Sequence, residues 1–299
     1  MKKLFVLACM LLSMTAAKAQ WNEWNGKNIL EHVGVGVGFG LSGITIDLGT
    51  DVTDYLTVRG GVDIFPSVDL DFDIPTGFDG GDIIGQANIP ARYNRPTEDI
   101  KVKATSALGG GHLLFDIHPF KSAFRITAGL YFGKKDVITV DTKDDVMDGM
   151  AQWNTDVYNY ATGLPKTPAE MTAEGHADLA QMALANGNEL PRYGAEIGDY
   201  FLEPKADGSV SSFFRVSGVR PYVGLGFGRM VPKKSRLTCN VDLGVQFWGK
   251  PSVYLDGRNG ETELSKSTFE EENDSEALDV LSKITVYPQL TVRLVGRIF

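Results

Sequence analysis

Thiols and imidazoles are scarce in this chain, with two cysteines and four histidines in 299 residues. One cysteine, Cys9, lies in an N-terminal apolar stretch. Once that stretch is cleaved, Cys239 is the remaining thiol, so no intramolecular disulfide can hold the fold together. Long apolar runs are missing too. No stretch approaches the ~18 continuous apolar residues of a membrane-crossing helix. Basic excess is absent: 29 Lys and Arg stand against 38 Asp and Glu, a formal net charge of −9. That balance argues against nucleic acid as a partner. EF-hand spacing is absent, and no repeat longer than a hairpin is visible.

What the sequence does have is alternation. In one run Val219, Pro221, Val223, Leu225 and Phe227 take every second position, with Arg220, Tyr222, Gly224, Gly226 and Gly228 between them. After Val231-Pro232-Lys233-Lys234-Ser235, read as a tight turn, the pattern resumes. Leu237, Cys239, Val241, Leu243, Val245 and Phe247 now alternate with Arg236, Thr238, Asn240, Asp242, Gly244, Gln246 and Trp248. A period of two held this long means extended strand. One face is apolar and the other mixes glycine with full charges, as in a strand between lipid and a polar barrel lumen.

Met1–Ala19 places Lys2 and Lys3 before the apolar run Leu4–Met14 and ends in Ala17-Lys18-Ala19. This is the pattern of a signal peptide, so the mature chain is expected to begin at Gln20 and to form one barrel domain over 20–299. Leu7, where a small residue is preferred, argues against lipid attachment at Cys9.

Eight strands follow from the alternation. The first is Glu31–Gly40, the second lies around Ile44–Leu48, and the third runs from Leu56 as far as Ile74. At ~3.3 Å per residue the third outruns a ~25 Å apolar band, so its upper half should stand clear of the lipid. Strand four spans about Asp99–Ile117 and strand five carries Phe124–Phe132. The two runs above are strands six and seven, with 251–256 continuing upward, and Ile284–Ile298 is the eighth. Connections after strands two, four and six are tight, and those after three, five and seven are long. That is the layout of an outer-membrane barrel with short periplasmic turns and long outer loops.

The long loops carry the acid. Residues 141–211 hold thirteen acidic and four basic residues, and 257–281 hold eight against two. Thr167-Pro168-Ala169-Glu170 is a capping box with proline at the first helical position, and Asn186-Gly187 supplies a stop. A single helix over 168–185 is therefore expected inside the 141–211 loop.

The inward charges are Asp47, Asp51, Asp63, Asp116 and Asp242 against Arg59, Arg125, Arg220, Arg236, Arg293 and Arg297. An eight-stranded barrel has room only for its own side chains. Charges there must pair, since an isolated one costs several kcal/mol, and a salt-bridged plug is expected over an open pore. His112, Asp116 and His118 share a face and superficially resemble an acid–base set. No serine of their parity is close, since Ser106 is six residues from His112, about 20 Å along a strand. Asp69, Asp71 and Asp73, ~7 Å apart, could hold a hard cation, although a solvated acidic rim is the preferred reading.

Four stretches carry a family likeness: Gly109–Leu130 (GGGHLLFDIHPFKSAFRITAGL), Val219–Gly228 (VRPYVGLGFG), Val241–Pro251 (VDLGVQFWGKP) and the ending Tyr287–Phe299. With them the chain resembles a family of small Gram-negative outer-membrane barrels of unassigned activity, covering roughly a third of its length. Its architecture is similar to the OmpA and OmpX type of eight-stranded barrel. The terminal Phe299 looks like the signal read by the barrel-assembly machinery, although its parity is opposite to that of Leu294 and Ile298.

The resemblance implies an all-β, eight-stranded up-and-down barrel in the cell outer membrane. The expected protein is non-enzymatic and monomeric, and displays acidic outer loops in a structural or surface-interaction role. Expected partners are outer-membrane lipids and lipopolysaccharide, with the assembly machinery during biogenesis and no nucleic acid. No catalytic, cofactor-binding or metal-ligating residue is assigned. The alternatives are a narrow channel or binding barrel for a small or cationic solute, and a lipid-modifying barrel enzyme.

Overall fold

The structure, a computed structural model, describes residues 32–75, 99–142, 148–162, 167–185, 187, 194–197, 200–233, 236–265 and 280–298. Residues 1–31, with the expected signal peptide, residues 76–98, the acidic stretch 266–279 and Phe299 are among those outside them.

In chain order the first strands are β1 (Val33–Gly40), β2 (Gly43–Asp51), β3 (Leu56–Ile64), β4 (Asp69–Pro75), β5 (Asp99–Ser106), β6 (Gly110–Ile117), β7 (Phe124–Gly133) and β8 (Asp136–Thr142). Three helices follow, α1 (Asp148–Thr162), α2 (Pro168–Ala173) and α3 (Ala177–Ala185). Then come β9 (Ala195–Ile197), β10 (Tyr200–Leu202), β11 (Ser211–Arg215), β12 (Val219–Phe227), β13 (Leu237–Phe247), β14 (Ser252–Gly257), β15 (Gly260–Leu264) and β16 (Val286–Arg297).

Eight of these strands close into an antiparallel barrel in the order β1-β16-β13-β12-β7-β6-β3-β2. Alternation decides which residues face out. Leu225, Phe227 and Leu243 are more than half exposed on the outside, whereas Asp47, Arg59 and Asp116 are buried inside. This inverts a water-soluble protein, and closure leaves no free edge to pair with another chain.

A second, six-stranded sheet, β15-β14-β11-β8-β5-β4, stands on one end of the barrel. Its order repeats that of the barrel strands below, because β3, β6, β7, β12 and β13 each adjoin a member of it along the chain. Backbone bonds bridge the joints, including Val216 N–H to Lys135 O (2.9 Å) and Ser217 N–H to Trp248 O (2.9 Å). The continuous third strand expected over 56–74 is therefore two. Between them lies Phe65-Pro66-Ser67-Val68, and Pro66 offers no backbone donor to a ladder. The fourth strand is likewise divided at Ala107-Leu108-Gly109.

The single helix expected over 168–185 is also two. Thr167 caps α2 with the full capping box, as its sequence requires. Gly175, at φ +90, then ends it: Gly175 N–H bonds Thr172 O, and His176 N–H bonds Met171 O. These are the two bonds of a Schellman stop. Helix α1 was not expected. It joins the others through one buried cluster of Trp153, Met171, Leu179, Ala180, Met182 and Ala183.

Candidate functional site

The barrel interior is filled in three tiers. The middle tier is an ion-pair lattice. Asp242 accepts from three guanidiniums, those of Arg59 (3.1 Å), Arg125 (2.6 Å) and Arg293. Asp116 holds Arg59 at 3.0 Å and Arg125 at 3.6 Å, and also accepts from the Thr127 hydroxyl at 2.6 Å. Arg293 reaches across to Asp47. His112 lies between two carboxylates, with Nε2 2.5 Å from Asp47 and Nδ1 3.0 Å from Asp63.

A neutral imidazole has one N–H, yet two ionised carboxylates would need two donors. The His112–Asp47–Asp63 trio therefore holds one proton beyond the neutral ring. With that proton, four carboxylates balance three guanidiniums and one imidazole. None of these eight residues is more than 7% exposed. Inward glycines make the room. A side chain at Gly226 would begin 2.5 Å from the Asp242 carboxylate and 2.7 Å from Arg125 Nε.

The turn end is closed by the chain itself. Arg229, Met230, Val231 and Pro232, expected in or beside a tight turn, are buried. The Met230 side chain fits against Gly36 and Gly49, where an added Cβ would lie 3.2 Å from Met230 Cε and 2.5 Å from its Cγ. Gly34, Gly36 and Gly49 are thus a seat for this stopper. Below it Asp54 takes Lys233 at 2.7 Å and Lys121 at 3.3 Å. The Lys233 ammonium, with Lys121, holds the Asp54 carboxyl below its usual range.

The sheet end carries an aromatic lid. Trp248 stacks on Tyr287 at 4.8 Å and 8°. The Tyr287 hydroxyl donates to Leu41 O in the β1–β2 turn (2.9 Å). Val137 and Val216 pack on Trp248. Arg220 lies over the Trp248 ring and donates to Ser217 O and Lys134 O.

The lattice seats its charges on one another. Sequence reasoning grouped His112, Asp116 and His118 on one face. The structure engages each separately: His112 with Asp47 and Asp63, Asp116 with the arginines, and His118 with Phe124 O at 3.2 Å. Ser106 sits in β5, outside the barrel. Of the other expected inward charges, Asp51 accepts from Thr57 (2.5 Å), Arg297 donates to Pro232 O (3.3 Å) and Arg236 is exposed. The acidic ladder of β4 faces lysines. Asp71 is registered opposite Lys103 and Asp73 opposite Lys101, and Asp69 pairs with Lys103 at 3.0 Å. Lys103, with Thr105, lowers the Asp69 pKa. Among the described residues no cluster of three metal-ligating side chains occurs. Stopper and lid escaped sequence reasoning, although Trp248 and Tyr287, large aromatics of inward parity at strand ends, were the available signal for the lid.

No family model matches the chain, and no curated protein matches it. Solved structures do. The chain is similar to Acinetobacter baumannii CarO, at 14% identity and a TM-score of 0.41, over 90% of this chain and 99% of that one. CarO2 of the same organism shows 16% identity and a TM-score of 0.40, over 89% and 98%. A major outer membrane protein from Thermus thermophilus shows 12% and 0.33, over 89% and 98%. The strand order itself carries the fold. This is an eight-stranded antiparallel barrel bearing a second sheet on one end.

Proposed function

We propose that this protein is a non-conducting, non-enzymatic outer-membrane barrel that anchors a structured platform at the cell surface. The observation carrying the reading is the lumen. Eight charged or titratable side chains are buried, mutually paired and enclosed between a stopper and a lid. The exposed apolar residues around the barrel, such as Leu225, Phe227, Leu243 and Leu294, are what hydrocarbon would cover. Lipids and lipopolysaccharide are then its immediate surroundings, and its turn end faces the periplasm. The platform comprises the six-stranded sheet and helices α1–α3, too much ordered backbone for loops that merely connect strands.

Purified protein in a planar bilayer tests this. The expected trace shows no lasting conductance step at moderate voltage. A stable, ohmic step that scales with salt would overturn the reading in favour of a narrow channel. Hydrolysis or acyl transfer on lipid A, abolished by His112→Ala, would overturn it in favour of an enzyme.

A further inference from the structure

The second sheet, unlike the barrel, is open, and the strands at its two ends are β4 and β15. A free edge invites pairing with another chain, and proteins commonly blunt it with lysine, proline or a bulge. Strand β4 carries none of these along its length. It has no lysine, its one proline is its last residue, and its seven pairs with β5 run in unbroken register. Residues 66–73 are exposed without interruption. Leu70 is 60% exposed and Phe72 45%, so both the edge and its side chains can be reached.

Alternation decides what points to that edge. Ser106 N–H donates to Val68 O (3.3 Å). The even residues of β4 therefore exchange backbone bonds with β5, and the N–H and C=O of Asp69, Asp71 and Asp73 face away from it. Among the described residues no strand lies on that side. The same three residues set carboxylates on one face of β4, and Leu70 and Phe72 set apolar groups on the other.

Strand β5 shows what such a strand accepts. It places Lys103 opposite Asp71 and Lys101 opposite Asp73, with Ala104 and Val102 opposite Leu70 and Phe72. Lys103 also lies opposite Asp141 of β8. On that face residues 69–73, 101–105 and 139–141 set four carboxylates against two ammoniums. A second copy of the chain would not mend the deficit. Pairing β4 with β4 or with β15 sets acid opposite acid, which is unfavourable. The acids of β15 are engaged within the sheet, Glu261 with Arg215 (3.0 Å) and Glu263 with the Ser252 hydroxyl (2.6 Å).

We propose that β4 is a docking edge for an extended segment of another protein in which lysine or arginine alternates with apolar residues. The segment adds to the sheet as the next antiparallel strand. Its cations lie opposite Asp69, Asp71 and Asp73, where the new backbone bonds also form, and its apolar side chains cover Leu70 and Phe72. Main-chain bonds supply the affinity and the alternating side chains the selectivity. The inference gives the platform a class of partner. It rests on the proposed function only for the partner's place outside the cell, since edge pairing does not depend on a closed lumen.

The test uses the full chain in uncharged detergent micelles. It is titrated with a fluorescent, capped peptide of three lysines alternating with valines, followed by anisotropy and by amide exchange of β4. Three control peptides carry the same residues with the lysines in one block, glutamate in place of lysine, or N-methyl groups on the lysine backbones. Saturable binding of the alternating peptide is expected, with slowed exchange at residues 69, 71 and 73. The block and glutamate peptides should bind about tenfold or more weakly, and so should the N-methylated one, which keeps the charge and loses the donors.

Asp71→Asn should weaken binding up to about fivefold. Asp71→Pro should weaken it about tenfold or more and leave Leu70 and Phe72 amides protected, because the donor it removes faces away from β5. Should that variant disorder β4, the N-methylated peptide on the unaltered chain decides. Equal binding of the alternating and N-methylated peptides overturns the proposal. So does protection of residues 69–73 that rises with protein concentration in the absence of peptide, the mark of a second copy on the edge. Binding that emerges only when residues 78–96 are replaced by a short glycine–serine linker also overturns it, because the chain then covers its own edge. None of these results bears on the conductance test, so the two readings fail separately.

Discussion

Asp242→Asn is the sharpest perturbation of the barrel core. The substitution keeps the shape of the side chain and removes the charge that three guanidiniums share. Arg59 keeps Asp116 at 3.0 Å and Arg293 keeps Asp47. Arg125 is left worst, since its other carboxylate is 3.6 Å away. Losing one partner of a buried ion pair costs about 3–5 kcal/mol, because an uncompensated charge stays behind. That is a fall of roughly 10²- to 10³-fold or more in the folded-to-unfolded ratio. The assay is urea unfolding in detergent micelles, followed by far-ultraviolet circular dichroism. Two further variants make the result interpretable. Asp242→Asn with Arg125→Met removes the orphaned cation too, and should recover about 1–3 kcal/mol relative to additivity. Asp69→Asn breaks an exposed pair and should leave the midpoint where it was. If Asp242→Asn unfolds within about 1 kcal/mol of the parent, the lattice is not a dry, mutually dependent unit and the reasoning fails.

Gly49→Leu should force Met230 from its seat at a cost of about 1–3 kcal/mol, and Met230→Ala in the same chain should restore much of it in the same unfolding assay. Asp54, held below its ordinary pKa by Lys233 and Lys121, stabilises the turn end above about pH 4. That contribution is lost as pH falls through its lowered value. Unfolding midpoints of the parent and Asp54→Asn should therefore differ slightly at about pH 6 and draw together as the pH falls below about 4, and a gap that widens on acidification would contradict the pairing. Thr167→Ala removes the α2 cap and should cost that helix about 1 kcal/mol. The loss is expected as faster amide exchange over 168–173, with barrel amides unchanged.

Much of the barrel was legible because hydrophobicity with a period of two, set against charge, has few other physical meanings. The sign balance of Asp47, Asp116, Asp242, Arg59, Arg125 and Arg293 was legible too, since charges in so narrow a lumen have to pair. The division of strand three was not drawn, because the same alternation continues past Pro66 into β4 and parity alone cannot mark where a barrel stops. Met230 was hidden for a different reason. Its local sequence reads as a turn, and the glycines that receive it, Gly36 and Gly49, lie far earlier in the chain. Helix α1, with Gly149, Asn154, Thr155 and Asn159 in it, has little intrinsic propensity. Its order comes from Trp153 in a cluster with α2 and α3. The cation idea at Asp69, Asp71 and Asp73 lacked the neighbouring strand, which supplies Lys101 and Lys103.

The β1–β2 connection has one further consequence. Leu41 and Ser42 turn the chain straight back, so among the described residues no upper strand continues from these two staves, while β3, β6, β7, β12 and β13 each adjoin one. The rampart is therefore notched. In the orientation proposed above, a molecule approaching the sheet end would meet a parapet from most compass points, but a low sill beside β1 and β2, where the Tyr287 hydroxyl latches onto Leu41.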